Sequence, residues 1–456
     1  MSKFDLVIAG GRLIDPEAKT EIITNVGITD GKIDAVTHDT LQGIAYIDGS
    51  GLVVGPGAID MHSHGQDGEN YRVQALDGVT TALELELGVE NIFRWYQERE
   101  GNSLINFGAS IGHIPVRMKV FNDPGQMLPL ASAAYKPASK KEIEEMKGLM
   151  RLGFSEGALA MGFGLAYTPG ASRWEPIEMF RVASEYEASC HVHMRGSGAL
   201  DPLSSIDGLS ELLAASLISG APLHLVHINS SGHPVIPELF SMIEDAQAKG
   251  LDVTTECYPY TASMTAIDSA MFSGDWQSRQ GIDYCDLEWV ETGERLDARS
   301  FEEYRKTGGM VIKHFMDQDM VDMAVSSSLT AIASDGHLKN GKGHPRTAGT
   351  FSRIFGHYVR SGSISLTEAF RKTSLMPAQR LSHLSPAFKK KGRTTVGSDA
   401  DLVIFDPKLI EDKATYSHPT LPSSGIKYVL VNGTFVVKDG GIQDGLFPGK
   451  GIRGRG

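Results

Sequence analysis

A chain of 456 residues with 41% hydrophobic and 22% charged residues is long enough to bury a large core and has the composition of a soluble globular protein. Its formal net charge of −13 argues against nonspecific nucleic-acid binding and against an anionic membrane surface, but leaves room for an anionic small substrate in a locally basic cleft. Three scattered cysteines, Cys190, Cys257 and Cys285, exclude a disulfide framework or a Cys-rich zinc knuckle and point to reduced thiols in a cytoplasmic protein. The first residues lack the apolar core of a signal peptide, and no apolar run is long enough to span a bilayer.

In chain order, residues 4–9 read as a strand, Gly10-Gly11 as a turn, and Asp30-Gly31 as a hairpin turn between the strands 25–29 and 32–36. From about residue 56 the rhythm changes to short apolar strands alternating with helical stretches. Strands are expected up to His62 and at 79–86, 105–110, 158–162, 190–193, 223–227, 252–255, 310–312 and 330–335. That makes eight or nine βα units, the number a (β/α)8 barrel requires. Residues 268–308 break the rhythm; they are polar, carry Trp276 and Trp289, and read as a lid-like excursion over the barrel mouth. The run Lys389-Lys390-Lys391 reads as solvated surface. After Gly392 strands return at 400–405, 427–431 and 434–437, so residues 1–55 and 392–456 are expected to form one small β-sandwich beside a barrel of residues 56–391.

The segment Gly57-Ala58-Ile59-Asp60-Met61-His62-Ser63-His64 ends in two histidines one residue apart, which an extended strand presents to the same side. Polar residues at the C-terminal ends of barrel strands meet at one mouth, and here they are His62, His64, Glu86, His193, His227 and Asp335. Four imidazoles and two carboxylates suit one or two divalent ions, zinc most naturally. Strand alternation is expected to turn His224 toward the helices. It is also expected to turn Glu84 and Glu86 inward between outward Leu83, Leu85 and Leu87. Two carboxylates inside a barrel need a metal, a cation or protons to offset their burial.

Further segments carry a family likeness. They are Gly78-Val79-Thr80-Thr81, Gly112-His113, Gly164-Leu165-Ala166-Tyr167-Thr168-Pro169-Gly170, His193-Met194-Arg195, Tyr258-Pro259-Tyr260 and Ser334-Asp335-Gly336. His344-Pro345-Arg346, Gly349-Thr350-Phe351 and the run Ala400 to Pro407 follow in order. Through these the chain resembles the amidohydrolase superfamily, and within it the N-acyl-D-amino-acid deacylase (D-aminoacylase) group. The resemblance implies that His62 and His64 hold one metal position and His193 and His227 the other. It implies that Asp335 is the general acid/base, taking a proton from the attacking water and giving it to the departing amine.

Two positions depart from the group's pattern. Where the group places a bridging cysteine this chain has Leu87, with Glu86 just before it, so Glu86 is read as the ligand and Glu84 as the alternative. A carboxylate makes the site harder and more tolerant of other divalent ions than a thiolate would. Where the group has a lysine for the substrate carboxylate this chain has Asn229, and the compensating cation is Arg195 or Arg346, each with a structural ion pair as its equal alternative. Tyr258 is read as a hydroxyl donor, while His113, His337 and His344 are placed near the mouth without a ligand role. The expected activity is hydrolysis of a C–N amide bond in a small molecule, foremost an N-acyl-D-amino acid. A cyclic amidase of hydantoinase or dihydroorotase type, a deaminase, and a noncatalytic ligand-binding barrel are the alternatives. Neither a nucleic-acid nor a membrane partner is expected, and homo-oligomerisation is left open.

Overall fold

Residues 3–455 are described by the computed structural model. The N-terminal strands are β1 (Phe4–Asp15), β2 (Thr20–Thr29), β3 (Lys32–Thr37), β4 (Gly43–Asp48) and β5 (Val53–Pro56). Asp30-Gly31 turns β2 into β3 as the sequence predicts, both residues adopting positive φ. Gly10-Gly11 is not a turn between two strands. It is an irregularity inside the single strand β1, where the register against β2 shifts between Ile8 and Gly11.

Barrel strands follow: β6 (Ala58–Asp60), β7 (Val79–Val89), β8 (Asn106–Gly112), β9 (Met161–Gly164), β10 (Cys190–His193), β11 (Leu223–Leu225) and β12 (Val253–Cys257). The chain then leaves the barrel through β13 (Ala262–Ala266), β14 (Leu287–Trp289) and β15 (Met310–His314), and returns at β16 (Thr330–Ile332). Strands β6 to β12 and then β16 run in that order in one sheet, each parallel to its neighbour. Ser63 pairs with Gly336 just beyond the strand ends, and the Asp335 N–H donates to the His62 carbonyl at 2.7 Å. The last seam of the barrel therefore closes at the very segments that carry candidate ligands.

The surrounding helices obey ordinary rules. Helix Lys140–Ser155 starts at the capping box Ser139/Glu142 and buries Ile143, Met146, Met150 and Phe154, a stripe at helical spacing. Losing the Ser139 cap would cost about 1 kcal/mol. The run Met310-Val311-Ile312, expected to be a barrel strand, belongs instead to the antiparallel sheet β13-β15-β14 of the insert. An apolar run reports burial, not which sheet buries it. The insert has its own core, in which Trp276 and Trp289 pack with Phe272, Leu287 and Phe301.

After a two-residue hairpin, β17 (Leu338–Lys339) and β18 (Lys342–Gly343), the chain closes with β19 (Leu402–Phe405), β20 (Ile426–Val431), β21 (Thr434–Lys438) and β22 (Gly441–Ile442). These join the N-terminal strands in one sheet, in the order β22-β21-β20-β19-β5-β1-β2-β3 with β4 on β1. The sheet folds over itself. Ile33 of β3 exchanges backbone hydrogen bonds with Gly397 and Ser398, and Ile8, Val26, Ile33, Ile47, Leu402 and Leu430 share one core. Lys391, read as solvated, is buried, its ammonium 2.5 Å from Asp401 and 3.1 Å from Asp399; Lys389 and Lys390 stay exposed. Among the described residues no helix is long and apolar enough to cross a membrane.

Candidate metal centre

The strand ends deliver the six residues to one place by different local means. Asp60 pins β6 to the end of β16 by accepting from the Ser334 N–H at 3.0 Å and hydroxyl at 2.5 Å, and it also accepts from the His62 N–H at 3.2 Å. His227 lies two residues past β11 at φ +32°, and Asp335 three past β16 at φ +51°. Non-glycine residues in the left-handed region carry about 1–3 kcal/mol of strain, which persists where surrounding structure over-determines it, and such residues cluster at functional sites.

Glu86 is the centre of the arrangement. Its Oε1 lies 2.9 Å from His193 Nδ1 and 3.8 Å from His227 Nε2. Its Oε2 lies 3.3 Å from His62 Nε2 and 3.1 Å from His64 Nε2. One carboxylate thus spans both histidine pairs. Asp335 Oδ1 faces the first pair, at 3.5 Å from His62 Nε2 and 3.4 Å from His64 Nε2, while its Oδ2 accepts from Arg346 at 2.9 Å. Two ligand sets have their donor atoms close enough together to hold an ion: His62, Glu86 and His227, and His62, His64 and Asp335.

The hydrogen bonds behind these atoms test whether a cation fits. His62 Nδ1 lies 2.6 Å from Glu256 Oε1 and His64 Nδ1 lies 2.8 Å from Glu84 Oε2. Each ring donates its Nδ1–H to that carboxylate, the arrangement that orients metal-bound imidazoles. The two Nε2 lone pairs then face each other at 3.2 Å with two carboxylate oxygens beside them. Such a set repels itself unless a cation sits among its atoms. The titration behaviour says the same: burial opposes charge on His62, yet Asp335 and Glu256 push its pKa up to about 10. Burial also works against ionisation of Glu86, but hydrogen bonds from His193, His227, His62 and His64 hold it well below the usual carboxylate range. For Asp335, burial is overcome by Arg346 and His62, and its carboxyl is likewise held down.

The alternation expected along β7 does not describe the strand. Its register breaks after Glu84, Leu87 lines the cavity, and Leu83 and Leu85 pack with Ile59, Met61 and Ala331. Glu84 supports His64 and also accepts from the Leu87 and Gly88 N–H groups. His224 does not face the helices. Its Nε2 lies 3.0 Å from Glu256 Oε2 and its Nδ1 2.7 Å from Thr254 Oγ1. The parity argument failed because β11 stops at Leu225 and the turn at His227 breaks the two-residue period.

Of the expected substrate-side residues, Arg346 lines the cavity and Tyr258 packs beneath it, the guanidinium 4.5 Å from the ring centre. Arg195 is committed elsewhere, to Glu211 at 3.2 Å and to the Thr168 and Pro169 carbonyls. The Asn229 side chain is bound to the backbone of Tyr258 at 3.0 Å. His113 is buried against Glu175 at 2.8 Å, His344 donates to the Ala262 carbonyl, and His337 lines the cavity. Sequence reasoning overlooked two residues. Glu256 stands in Val253-Thr254-Thr255-Glu256-Cys257 and Lys313 in Met310-Val311-Ile312-Lys313, each the lone acidic or basic residue in a run of uncharged ones, which is the signal that could have found them.

Fold and site together define the class: a (β/α)8 barrel with a β-sandwich, whose strand ends assemble a histidine–carboxylate centre, as in the amidohydrolases. Within that class the chain is a homologue of D-aminoacylase and N-acyl-D-glutamate deacylase. It is 29% identical to the D-aminoacylase of Alcaligenes xylosoxydans xylosoxydans over 94% of each chain. It is 28% identical to the N-acyl-D-glutamate deacylase of the same organism over 95% of this chain and 94% of the other. The crystal structure of N-acyl-D-glutamate deacylase from Bordetella bronchiseptica superposes with a TM-score of 0.83 at 25% identity, covering 99% of this chain and all of the other (100%). That structure holds zinc and a phosphonate inhibitor that mimics the tetrahedral intermediate of its reaction. No family model matches the chain.

Proposed function

We propose that this chain is a metal-dependent hydrolase of a C–N amide bond whose substrate is an N-acyl-D-amino acid. The observation that carries the reading is Glu86 spanning two histidine pairs with Asp335 facing one of them. His62 and His64 would hold one divalent ion, zinc foremost, and His193 and His227 a second, with Glu86 shared between them. An ion bound there supplies Lewis acidity toward an amide carbonyl and acidifies water toward a pKa of ~7. Asp335 moves the protons: it accepts one from the attacking water and returns it to the amide nitrogen, which then departs as a neutral amine.

Arg346 has two tasks. One guanidinium nitrogen holds Asp335 Oδ2, fixing the carboxylate that must exchange protons. The buried Nε and Nη1 have no hydrogen-bond partner, nor has the Tyr258 hydroxyl. Together they are the receptor for the substrate's α-carboxylate, taking the task that the group's pattern gives to a lysine where this chain has Asn229. The likeness to D-aminoacylase and N-acyl-D-glutamate deacylase over nearly the whole chain supports the choice of an N-acyl-D-amino acid.

A panel of N-acyl-D-amino acids, their L-enantiomers, hydantoins and dihydroorotate tests the reading with zinc-loaded protein. Release of the free D-amino acid, lost on chelation, is expected. Turnover of the cyclic amides alone would replace the substrate class, and full activity in Asp335→Asn would overturn the mechanism.

A further inference from the structure

Lys313 is a buried ammonium in the wall of the same cavity. It sits on β15 opposite Ser263 of β13, in the insert rather than the barrel, and the residue is 5% exposed. Its Nζ donates to Gln280 Oε1 at 2.5 Å and lies 4.8 Å from the centre of the Phe315 ring. Among the described residues it has no carboxylate partner within ion-pair distance. Burial, with Arg279 nearby, lowers its pKa to about 8, so it is still largely charged at neutral pH. An unpaired buried charge is costly, and an apolar residue in this apolar strand would avoid that cost. An anion from outside the chain is the missing partner.

The cavity places that anion. Arg346 and Asp335 mark the end at the metal centre, Lys313 and Gln280 belong to the insert, and Leu87, Met264 and Met271 also line the space. Arg346 already has Tyr258 beside it for an α-carboxylate, so Lys313 is free for a different group.

We propose that Lys313 receives a second, remote carboxylate of the substrate, making the chain selective for amides that carry two anionic groups. The proposal rests on the amide-hydrolase reading for what the substrate is. A remote carboxylate has two sources, an acidic amino-acid side chain or a dicarboxylic acyl group. The metal and Asp335 act on the amide in both cases, and Lys313 only positions the far end.

Calorimetric titration of zinc-loaded wild type, Lys313→Met and Lys313→Arg with succinate, glutarate and adipate, each against the monoacid of equal carbon number, tests this without turnover. Wild type is expected to bind at least one diacid about tenfold or more tightly than its monoacid, the scale of one charge-assisted hydrogen bond. Lys313→Met should abolish that preference and Lys313→Arg should keep most of it. No diacid preference in wild type, or an unchanged preference in a folded Lys313→Met protein, overturns the proposal. Kinetics then locate the source, comparing N-acetyl-D-glutamate with N-acetyl-D-glutamine and N-succinyl-D-leucine with N-butanoyl-D-leucine. The pair whose kcat/KM ratio collapses in Lys313→Met identifies the side of the amide that carries the remote group. A Lys313-dependent diacid preference in a protein that hydrolyses none of the four leaves Lys313 assigned and overturns the amide-hydrolase reading instead.

Discussion

The barrel holds two histidine–carboxylate clusters, and they differ in how they are satisfied. In the deeper one Glu256 accepts from His62 Nδ1 and His224 Nε2, His224 Nδ1 meets Thr254, and the His191 ring lies tilted with its centre 4.6 Å from that of His224. Burial alone would raise the Glu256 carboxyl, but His62 and His224 hold it at about 2. In that cluster the Glu256 carboxylate and both nitrogens of His224 have protein partners. At the mouth, Glu86 lies among four imidazoles and Asp335 faces two of them, His62 and His64, whose Nε2 atoms converge at 3.2 Å. The same chemistry serves structure where carboxylate and imidazole pair off, and suits a metal ion where four imidazoles and two carboxylates converge on one space. His62 belongs to both clusters, so the deeper one sets the tautomer that the mouth requires.

Substitutions break this contrast in a graded way. Asp335→Asn removes the proton carrier while preserving shape, and kcat should fall by roughly 10²–10⁴ with metal still bound, read by steady-state kinetics and metal analysis. Glu256→Gln leaves the mouth ligands in place but loosens His62, and metal affinity should weaken about 10–100-fold in competition with a chelator. Arg346→Lys keeps a charge near Asp335 but loses the planar fork, so KM for an N-acyl amino acid should rise more than about tenfold. Arg195→Ala should have the smallest effect on KM, because its guanidinium is spent on Glu211 and two carbonyls; its cost belongs to thermal stability, about 1–3 kcal/mol for the partners left unsatisfied.

The fold was legible because a barrel repeats one signal many times. Short apolar strands, helices with caps and an Asp-Gly hairpin each state the same architecture, and one misplaced strand, Met310–His314, does not change it. The candidate ligands that the structure brings together could be named because strand C-terminal ends share one mouth, so position along a strand was enough. Facing direction was not. His224 and the leucines beside Glu84 and Glu86 were assigned by a two-residue period, and that period fails where β7 changes register and where the chain turns at His227. Glu256 and Lys313 were missed for another reason. Each is a lone charge in its strand, a signal that was there to read, but each meets its partner from a distant part of the chain, His62 in one case and Gln280 in the other, and that pairing has no local pattern.

The central claim is that Glu86, not Glu84, is the carboxylate shared by the metal centre. Zinc stoichiometry and affinity after reconstitution of Glu86→Ala and Glu84→Ala test it directly. Glu86→Ala should bind zinc far more weakly than wild type and fail to hold a second ion, whereas Glu84→Ala should keep its zinc with affinity reduced within about 10–100-fold. Retention of zinc by Glu86→Ala together with its loss from Glu84→Ala would contradict the account.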